Sequence, residues 1–396
     1  MTVLPQRIRE VGVLAFGQEA GVLSQPAQYQ FQCTGEQPVS LTMDVRDAPY
    51  NFGVVHPVFG QNLPEGYVRR YIHEKLLRHA EVNDLYLLGI QGDKSIGHLA
   101  FTSEIVPSPA EQLSLQDILG WRGEEALFPQ LLERYYLNGL IAGVQPKVIV
   151  SVQEKSVISQ SDMIVKTFDE EYELLTVNEF VCMSAAKACG LEPPAFYLSD
   201  DRQCFVIERF DRFQGTTLAF EDFTVLMGKS SEHKYQSSYE TLLKAMAAFT
   251  RSQAEVERGY KYIVFSCLIG NGDAHLKNFA VQYDANRKSV VLAPPYDITH
   301  TLIYKTLDNN MALKMAGAKS FPDRETLIKL GQGAGIKKPE QIIEAMADQI
   351  QDYLTSAAEL ELMPGLKASL EVALQKARTG LYSTNSYRHD KKRKYT

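Results

Sequence analysis

The spacing of hydrophobic and polar positions predicts a β-rich first quarter of the chain with one helix. Short apolar runs that are typical of strands are predicted at 11–16 and 28–34, and as the two halves of a hairpin at 84–90 and 95–101. The exception is the segment 63–80, where Val68, Ile72 and Leu76 recur at helical spacing after a Pro-Glu start. This region is therefore predicted to be an α+β unit, and the stretch "VPSPAEQ" that follows it has the composition of a linker.

Beyond the linker the pattern is mixed at first and then mainly helical. Strands are predicted at 146–152 and 161–168, with a hairpin at 196–210, and helices at 123–140 and 176–190. After residue 215 the predicted helices lie at 237–250, 255–269, 324–332, 339–360 and 365–382. The predicted domains are a β-rich N-terminal subdomain at 1–108, a second lobe at 109–213 and a helical lobe at 214–396.

Composition excludes several classes of protein. The 396-residue chain is 45% hydrophobic and 22% charged, as expected for a globular protein with a real core. Its net charge of −7 argues against nucleic-acid binding over the whole surface, although the last ten residues, "YRHDKKRKYT", form a basic tail. Five cysteines without a CxxC pair are typical of reduced core thiols in a cytoplasmic protein. No apolar run is long enough for a membrane span, and no signal peptide is expected.

The stretch "IGNGDAHLKNFA", residues 269–280, places chemically active side chains directly after an apolar run. Phosphoryl transfer needs a carboxylate that accepts a hydroxyl proton, and oxygen ligands for the Mg²⁺ ion that accompanies ATP. Protein kinases supply these from one loop as Asp-x-Lys-x-x-Asn, and Asp273 and Asn278 have that spacing, with His275 in place of the lysine. A second acid, Asp297, follows the strand-like run "SVVLAP", as the metal-binding Asp of a kinase follows a strand. Taken alone, the motif is short enough to arise by chance in a solvated loop.

A lysine inside a predicted strand provides a second indication. Lys166 lies in the apolar run "MIVKTF", and a buried ammonium group requires an anionic partner or ligand. Glu179, on the following predicted helix, is the candidate partner, because kinases hold a phosphate-binding strand lysine with a helix glutamate. The alternative is an exposed edge-strand lysine and an unrelated surface glutamate.

Two further stretches fit a nucleotide, each weakly on its own. The segment 138–148, "NGLIAGVQPKV", has two glycines that would let backbone N–H groups approach phosphates, but it lacks the known glycine-rich signatures. The strand "FVIERFDRF", residues 205–213, would serve as the segment that binds adenine through its backbone, with Asp211 on the ribose. Its alternative is a strand end with surface ions.

These motifs, in this order, resemble the HipA family of serine/threonine kinase toxins from bacterial toxin–antitoxin modules. The resemblance rests on the motifs "FGQNLPEGYVRRYI", "GVQPKV", "VKTF", "NEF" with "AKACGL", "ERFDR", "KYQSSYE", "GNGDAHLKN" and "APPYDIT". It implies an α+β, protein-kinase-like fold related to phosphoinositide kinases, with two lobes and a β-rich N-terminal subdomain. It also implies ATP and Mg²⁺, a protein substrate such as an aminoacyl-tRNA synthetase, and a helix-turn-helix antitoxin that links the toxin to operator DNA.

The resemblance also assigns roles to residues of this chain. It implies that Asp273 is the catalytic base, that His275 lies near the phosphates, and that Asn278 and Asp297 bind Mg²⁺. The residues implied in ATP binding are Gly143, Val144, Gln145 and Lys147 of the phosphate loop, Lys166 at the phosphates, Glu208 and Phe210 at the adenine, Asp211 at the ribose, and Tyr296 before the metal ligand. Glu179 joins the predicted ATP-binding set as the candidate partner of Lys166.

One stretch departs from the family pattern. Many members carry an autophosphorylated serine just before the phosphate loop, and its modification switches the kinase off. Here Leu140 and Ala142 occupy the two candidate positions, and neither has a hydroxyl. Ser151 is the nearest hydroxyl downstream and is predicted to lie inside a strand. The chain is therefore expected to lack the usual off-switch.

Three functions remain open at this stage. The first is an ATP-dependent serine/threonine kinase toxin. The second is a catalytically weak co-repressor that acts through an antitoxin and DNA, against which the intact Asp273, Asn278, Asp297 and Lys166 argue. The third is a small-molecule or lipid kinase, since one core fold serves several acceptors.

Overall fold

A computed structural model of the chain describes residues 5–77, 79–93, 95–105, 113–123, 126–128, 130–131, 147–153, 160–168, 172–213 and 215–379. In chain order the strands are β1 (Glu10–Ala15), β2 (Gln18–Ser24), β3 (Tyr29–Cys33), β4 (Tyr50–Phe52), β5 (Leu99–Thr102), β6 (Lys147–Gln153), β7 (Gln160–Lys166), β8 (Phe196–Leu198), β9 (Phe205–Glu208), β10 (Arg212–Phe213), β11 (Thr216–Thr217), β12 (Ala219–Asp222), β13 (Ala280–Tyr283) and β14 (Val290–Leu292). The helices are α1 (Pro57–Gly60), α2 (Gly66–Leu76), α3 (Asp84–Gln91), α4 (Leu115–Leu119), α5 (Leu175–Ala188), α6 (Phe223–Leu226), α7 (Tyr239–Thr250), α8 (Gln253–Leu268), α9 (Arg324–Gly333), α10 (Pro339–Ser356) and α11 (Leu366–Thr379).

The chain separates into two compact units that are not continuous in sequence. The first unit comprises Met1–Thr176, Pro194–Glu232 and Ala280–Val290, and the second comprises Val177–Pro193, His233–Phe279 and Val291–Thr396. The boundaries predicted at 108 and 213 do not coincide with the boundaries of these units, so the three-part division stays a prediction. Nearly all of α5 belongs to the second unit although it follows β7 of the first.

The first unit contains a five-stranded antiparallel sheet in the order β4-β3-β2-β1-β5. Its first hairpin turns at Phe16 and Gly17, whose φ angles of 52° and 77° suit the tight turn between β1 and β2. The two N-terminal strands predicted from the sequence are confirmed as β1 and β3. The predicted helix is confirmed as α2, whose Val68, Ile72 and Leu76 are buried.

The predicted hairpin at 84–101 is wrong in its first half. Asp84–Gln91 is the helix α3, and every residue from Leu85 to Gln91 is buried. Asn83 begins this helix, because its side chain accepts a hydrogen bond from the backbone N–H of Tyr86. Only the second half is a strand, β5, which pairs with β1. This helix is buried on all sides, so its sequence lacks the polar face whose spacing would have indicated a helix.

A second sheet in the first unit carries the predicted lysine strand. Its order is β6-β7-β9-β8, and all of its pairings are antiparallel. The strands predicted at 146–152 and 161–168 and the hairpin at 196–210 are therefore confirmed. Within this sheet Lys166 pairs with Phe205, and Met163 pairs with Glu208. The register thus places Lys166 and Glu208 at opposite ends of the β7–β9 pairing.

The second unit is built from helices with clear apolar faces. The helix α10 buries Ile343, Met346, Ile350 and Leu354, which recur at helical spacing. Serine and aspartate side chains cap the starts of three further helices: Ser238 for α7, Ser252 for α8 and Asp323 for α9. The five helices predicted after residue 215 are confirmed as α7 to α11. Across the ranges given above, no helix combines the length and the apolar character that a membrane span requires.

Candidate active site

The segment 269–280 is confirmed as a turn that presents its polar residues at the end of the buried helix α8. The helix stops at Leu268, and Gly270 follows with a φ of 69°. A Cβ atom at Gly270 would lie 2.6 Å from Cδ1 of Leu302, so both the φ angle and the space favour glycine there. The backbone N–H of Gly272 then donates to Oγ1 of Thr301 at 2.8 Å. The backbone directly before Asp273 is thereby fixed.

The carboxylate of Asp273 is accessible and held by a tyrosine. Its side chain is 53% exposed. Oδ1 accepts a hydrogen bond of 3.0 Å from the hydroxyl of Tyr235. The backbone next to it is held separately, because the buried Tyr239 donates to the carbonyl of Ala274 at 3.0 Å. An exposed carboxylate on a fixed loop is what a general base for an external hydroxyl requires.

The structure brings the two predicted metal ligands together. Asn278 ends a short 3₁₀ turn, and its Oδ1 accepts a hydrogen bond from the backbone N–H of His275 at 3.3 Å. Its Nδ2 donates to the backbone carbonyl of Asp297 at 3.4 Å. Asp297 has a φ of 55°, in the left-handed region that non-glycine residues adopt rarely. Uncommon backbone conformations of this kind concentrate at functional sites.

Hydrogen bonds to the backbone and the ring of His300 fix the segment that follows Asp297. Asn178 donates to the carbonyl of His300 at 2.9 Å and accepts from its backbone N–H at 2.8 Å. The buried His300 ring also contacts the carbonyl of Ile269 at 2.5 Å and Oγ of Ser369 at 2.6 Å. These hydrogen bonds connect α5, the end of α8 and α11 to the segment after Asp297. Burial lowers the pKa of the His300 ring to about 4.

The donor set at this position fits Mg²⁺. Asn278 and Asp297 offer an amide oxygen and a carboxylate, which are hard oxygen ligands. Within the described ranges no group of three or more His, Cys, Asp or Glu side chains could hold a metal ion. Mg²⁺ does not require such a cage, because it is usually held by one or two carboxylates together with phosphate oxygens and water. The described residues therefore fit a magnesium ion that is completed by a phosphate ligand.

His275 is neutral in this site. Only 6% of the residue is exposed. Burial, together with Lys234 and Lys277, lowers its pKa to about 3, and Asp297 opposes this shift. Its Nε2 lies 4.0 Å from Oδ1 of Asp273, and its ring meets the Tyr235 ring edge-on, with 5.1 Å between the centroids. A neutral imidazole of this kind can accept or donate a hydrogen bond, but it adds no positive charge near a phosphate.

Lys166 and Glu179 are both buried, as the sequence predicted. Lys166 is 3% exposed, and its Nζ lies 5.6 Å from the centre of the Phe205 ring. Glu179 is 1% exposed on α5. Because both side chains are buried, the alternative interpretation, an exposed edge-strand lysine and an unrelated surface glutamate, is excluded. The pairing of the two side chains stays a prediction.

At Glu208 and Phe210, one backbone group of each residue forms a hydrogen bond within the protein. The N–H of Glu208 donates to the carbonyl of Ala195 at 2.8 Å. The carbonyl of Phe210 accepts from Nε2 of Gln282 at 2.8 Å. Adenine recognition at these positions stays a prediction.

Asp211 has structural partners that the ribose hypothesis did not anticipate. It is 2% exposed, and its Oδ1 accepts from Nε of Arg209 at 2.8 Å. Its Oδ2 accepts from the backbone N–H of Gly97 at 2.6 Å and from a second nitrogen of Arg209. These contacts favour a buried ion pair that holds the segment around Gly97. They do not favour a side chain that reaches a ribose, and that role stays a prediction.

The predicted phosphate loop lies mostly outside the described residues. This holds for Gly143, Val144 and Gln145 and for the segment with Leu140 and Ala142. The backbone of Lys147 begins β6, opposite Lys166. Ser151 lies within β6, opposite Asp162, which confirms that it is inside a strand.

Two motifs without an assigned role acquire one from these contacts. In "KYQSSYE", Tyr235 and Tyr239 hold the loop that carries Asp273, and in "NEF", Asn178 holds the segment after Asp297. Before the structure was known, only the resemblance of these two motifs to the family pointed to them. Each contact joins residues that are far apart in the chain, so local patterns could not predict it.

Comparison with known proteins identifies the family to which the chain belongs. The HipA-like C-terminal domain matches residues 139–356, and the HipA N-terminal domain matches residues 6–102. A solved complex of HipA, HipB and operator DNA from Shewanella oneidensis MR-1 contains a chain with a TM-score of 0.68 at 20% identity, covering 93% of this chain and 97% of that one. The predicted α+β fold class is thereby confirmed as that of HipA.

The chain belongs to the HipA family. Among its relatives are two predicted kinases of Sinorhizobium fredii. Y4dM is 28% identical over an alignment of 297 positions that covers 69% of this chain and 68% of that protein. Y4mE is 29% identical over an alignment of 360 positions that covers 82% of this chain and 84% of that protein.

Proposed function

We propose that the protein is an ATP- and Mg²⁺-dependent serine/threonine protein kinase that acts as a growth-arresting toxin in the cytoplasm. The observation that carries the proposal is the hydrogen bond between Asn278 and the backbone of Asp297, in a loop that also presents the exposed carboxylate of Asp273. A base and two oxygen ligands for a divalent cation are the elements that phosphoryl transfer requires.

Asp273 orients the acceptor hydroxyl and takes its proton. As the acceptor oxygen bonds to the γ-phosphorus of ATP, the bond from that phosphorus to the bridging oxygen of the ADP group breaks. The products are a phosphoserine or phosphothreonine and ADP, with the proton on Asp273. The 53% exposure of this side chain leaves room for an acceptor that belongs to another protein.

Asn278 and Asp297 would hold Mg²⁺, which would supply positive charge opposite the phosphates. Lys166, a buried cation in β7, would contact the α/β-phosphates. Neutral His275 provides a hydrogen bond near the phosphates without adding charge.

Family membership supports the proposed biological setting. The solved relative from Shewanella oneidensis is a toxin–antitoxin HipA in complex with HipB and operator DNA. The proposed partners are accordingly a helix-turn-helix antitoxin, operator DNA reached through it, and a protein substrate such as an aminoacyl-tRNA synthetase. Phosphorylation of that substrate would stop translation and growth.

Expression in a bacterial host tests the proposal. The parent protein should arrest growth and add phosphate to serine or threonine of a small number of host proteins, as identified by phosphoproteomics. Asp273→Asn should do neither at equal expression. Growth arrest by both proteins without new phosphorylation would favour a co-repressor or another binding function. ATP turnover without any phosphoprotein would favour a small-molecule acceptor.

A further inference from the structure

The motif "KYQSSYE", residues 234–240, forms a support for the loop that carries the proposed base. The carbonyl of Lys234 accepts from the backbone N–H of Leu276 at 3.3 Å. Tyr239, at the other end of the motif, donates to the carbonyl of Ala274. The backbone that follows Asp273 is therefore attached to this motif independently of Tyr235.

Tyr235 makes a different kind of contact, because it reaches the carboxylate itself. Its hydroxyl donates to Oδ1 of Asp273 at 3.0 Å. An acceptor serine or threonine must donate its own hydroxyl proton to the same carboxylate before it can react. The phenol hydroxyl of Tyr235 therefore offers the hydrogen bond that an acceptor hydroxyl would offer.

The position of the Tyr235 ring allows it to be displaced. The residue is 39% exposed, unlike Tyr239, which is 1% exposed. One edge of the ring rests on His275, and the Nζ atoms of Lys234 and Lys319 lie 5.2 Å and 5.9 Å from its centre. Cations at these distances hold an aromatic ring weakly at an exposed position. If the ring were displaced, the loop would stay attached to the rest of the motif through Lys234 and Tyr239.

We propose that Tyr235 occupies Oδ1 of Asp273, so that an acceptor hydroxyl that uses this oxygen must displace it and water is kept from reacting there in its place. The inference rests on the proposed kinase function and adds a residue that regulates access to the base. If water took the acceptor position, it would form a bond to the γ-phosphorus, ADP would leave with inorganic phosphate, and Asp273 would take the water proton. Tyr235 thus limits wasteful hydrolysis when the protein substrate is absent.

Tyr235→Phe tests this with two measurements on the full chain. The variant keeps the ring and removes only the hydroxyl. In the absence of nucleotide, carbodiimide coupling of glycinamide to Asp273, followed by peptide mass spectrometry, should be several-fold faster than in the parent, with the exposed Asp352 as internal reference. With MgATP and no protein acceptor, release of inorganic phosphate should rise about tenfold, as expected for the loss of a hydrogen bond to a charged group.

A matched control is Tyr260→Phe, which removes a buried phenol hydroxyl from α8 that donates to Leu327. Both rates should equal those of the parent in this control. Unchanged labelling of Asp273 in Tyr235→Phe, or a lower rate of phosphate release, would overturn the inference. If Asp273→Asn releases phosphate as fast as the parent, or if no protein binds MgATP, the proposed function fails instead. The labelling rate then still decides whether Tyr235 covers the carboxylate.

Discussion

The hydroxyl of Tyr296 donates a hydrogen bond of 2.6 Å to the backbone carbonyl of Lys277. Each of these residues immediately precedes a proposed metal ligand, Asp297 and Asn278 respectively. The carbonyl of Tyr296 is itself held by the hydroxyl of Tyr262 at 2.9 Å. The two ligand-bearing segments are therefore joined by their neighbours as well as by the contact between Asn278 and Asp297.

Tyr296→Phe should weaken MgATP binding without abolishing it. Loss of one hydrogen bond costs about 0.5–1.5 kcal/mol, so an increase of roughly 2- to 10-fold in the Kd of MgATP is expected. Isothermal titration at several Mg²⁺ concentrations measures this. Tyr260→Phe, which loses a hydroxyl elsewhere in the same unit, provides the control. An unchanged Kd would mean that the Tyr296 contact does not position the ligands.

Asp297→Asn should weaken MgATP binding more than Asn278→Ala does. Both residues offer oxygen ligands, but only the aspartate brings a negative charge to the cation. With EDTA in place of Mg²⁺, Asp297→Asn should no longer bind ATP more weakly than Asn278→Ala, because a carboxylate near the phosphates is favourable only when the cation is present. Equal affinity of both variants and the parent for MgATP would remove the proposed metal site.

Lys166→Met should lose most of the stabilisation that MgATP gives the parent. Methionine keeps an unbranched apolar side chain beside Phe205 and removes the ammonium group. Removal of a buried charge can also relieve a desolvation cost, so the nucleotide-free variant should melt within a few degrees of the parent. A thermal-shift series with and without MgATP separates the two effects. An ATP-induced increase in Tm as large as that of the parent would make Lys166 structural.

The segment 138–148 should not become phosphorylated in the parent protein. Leu140 and Ala142 have no oxygen that could accept a phosphoryl group. A serine at either position should instead acquire phosphate, whose charge of about −1.5 to −2 would repel the phosphates of ATP and silence the enzyme over time. Intact-mass spectra and activity time courses follow both events. A parent that loses activity at the same rate as the serine variants must be regulated elsewhere.

Local patterns predicted most of the fold, and they failed where an element is buried on all sides. The helix α10 was predictable because Ile343, Met346 and Ile350 lie on one face and polar residues lie on the other. The helix α3 was taken for a strand because Leu85 to Gln91 are all buried, and uniform burial erases the period that separates helix from strand.

The sequence predicted those parts of the candidate site whose residues are close together in the chain. The spacing of Asp273 and Asn278 identified one loop, and Asp297 was found through the strand-like run before it. The contact of Tyr235 with Asp273 spans 38 positions, and the partners of Asp211 include Gly97, 114 positions away. Contacts of this range depend on tertiary packing, which no local pattern encodes.

Transfer of radiolabelled γ-phosphate by the purified protein to host-cell proteins tests the central claim most directly. Parent and Asp273→Asn are compared at MgATP concentrations that saturate both, so that binding does not enter the comparison. Removal of a general base lowers the rate by roughly 10²–10⁴-fold, and the account predicts a loss of this size in phosphoserine and phosphothreonine formed. An Asp273→Asn protein that labels the same proteins at the parental rate would contradict it.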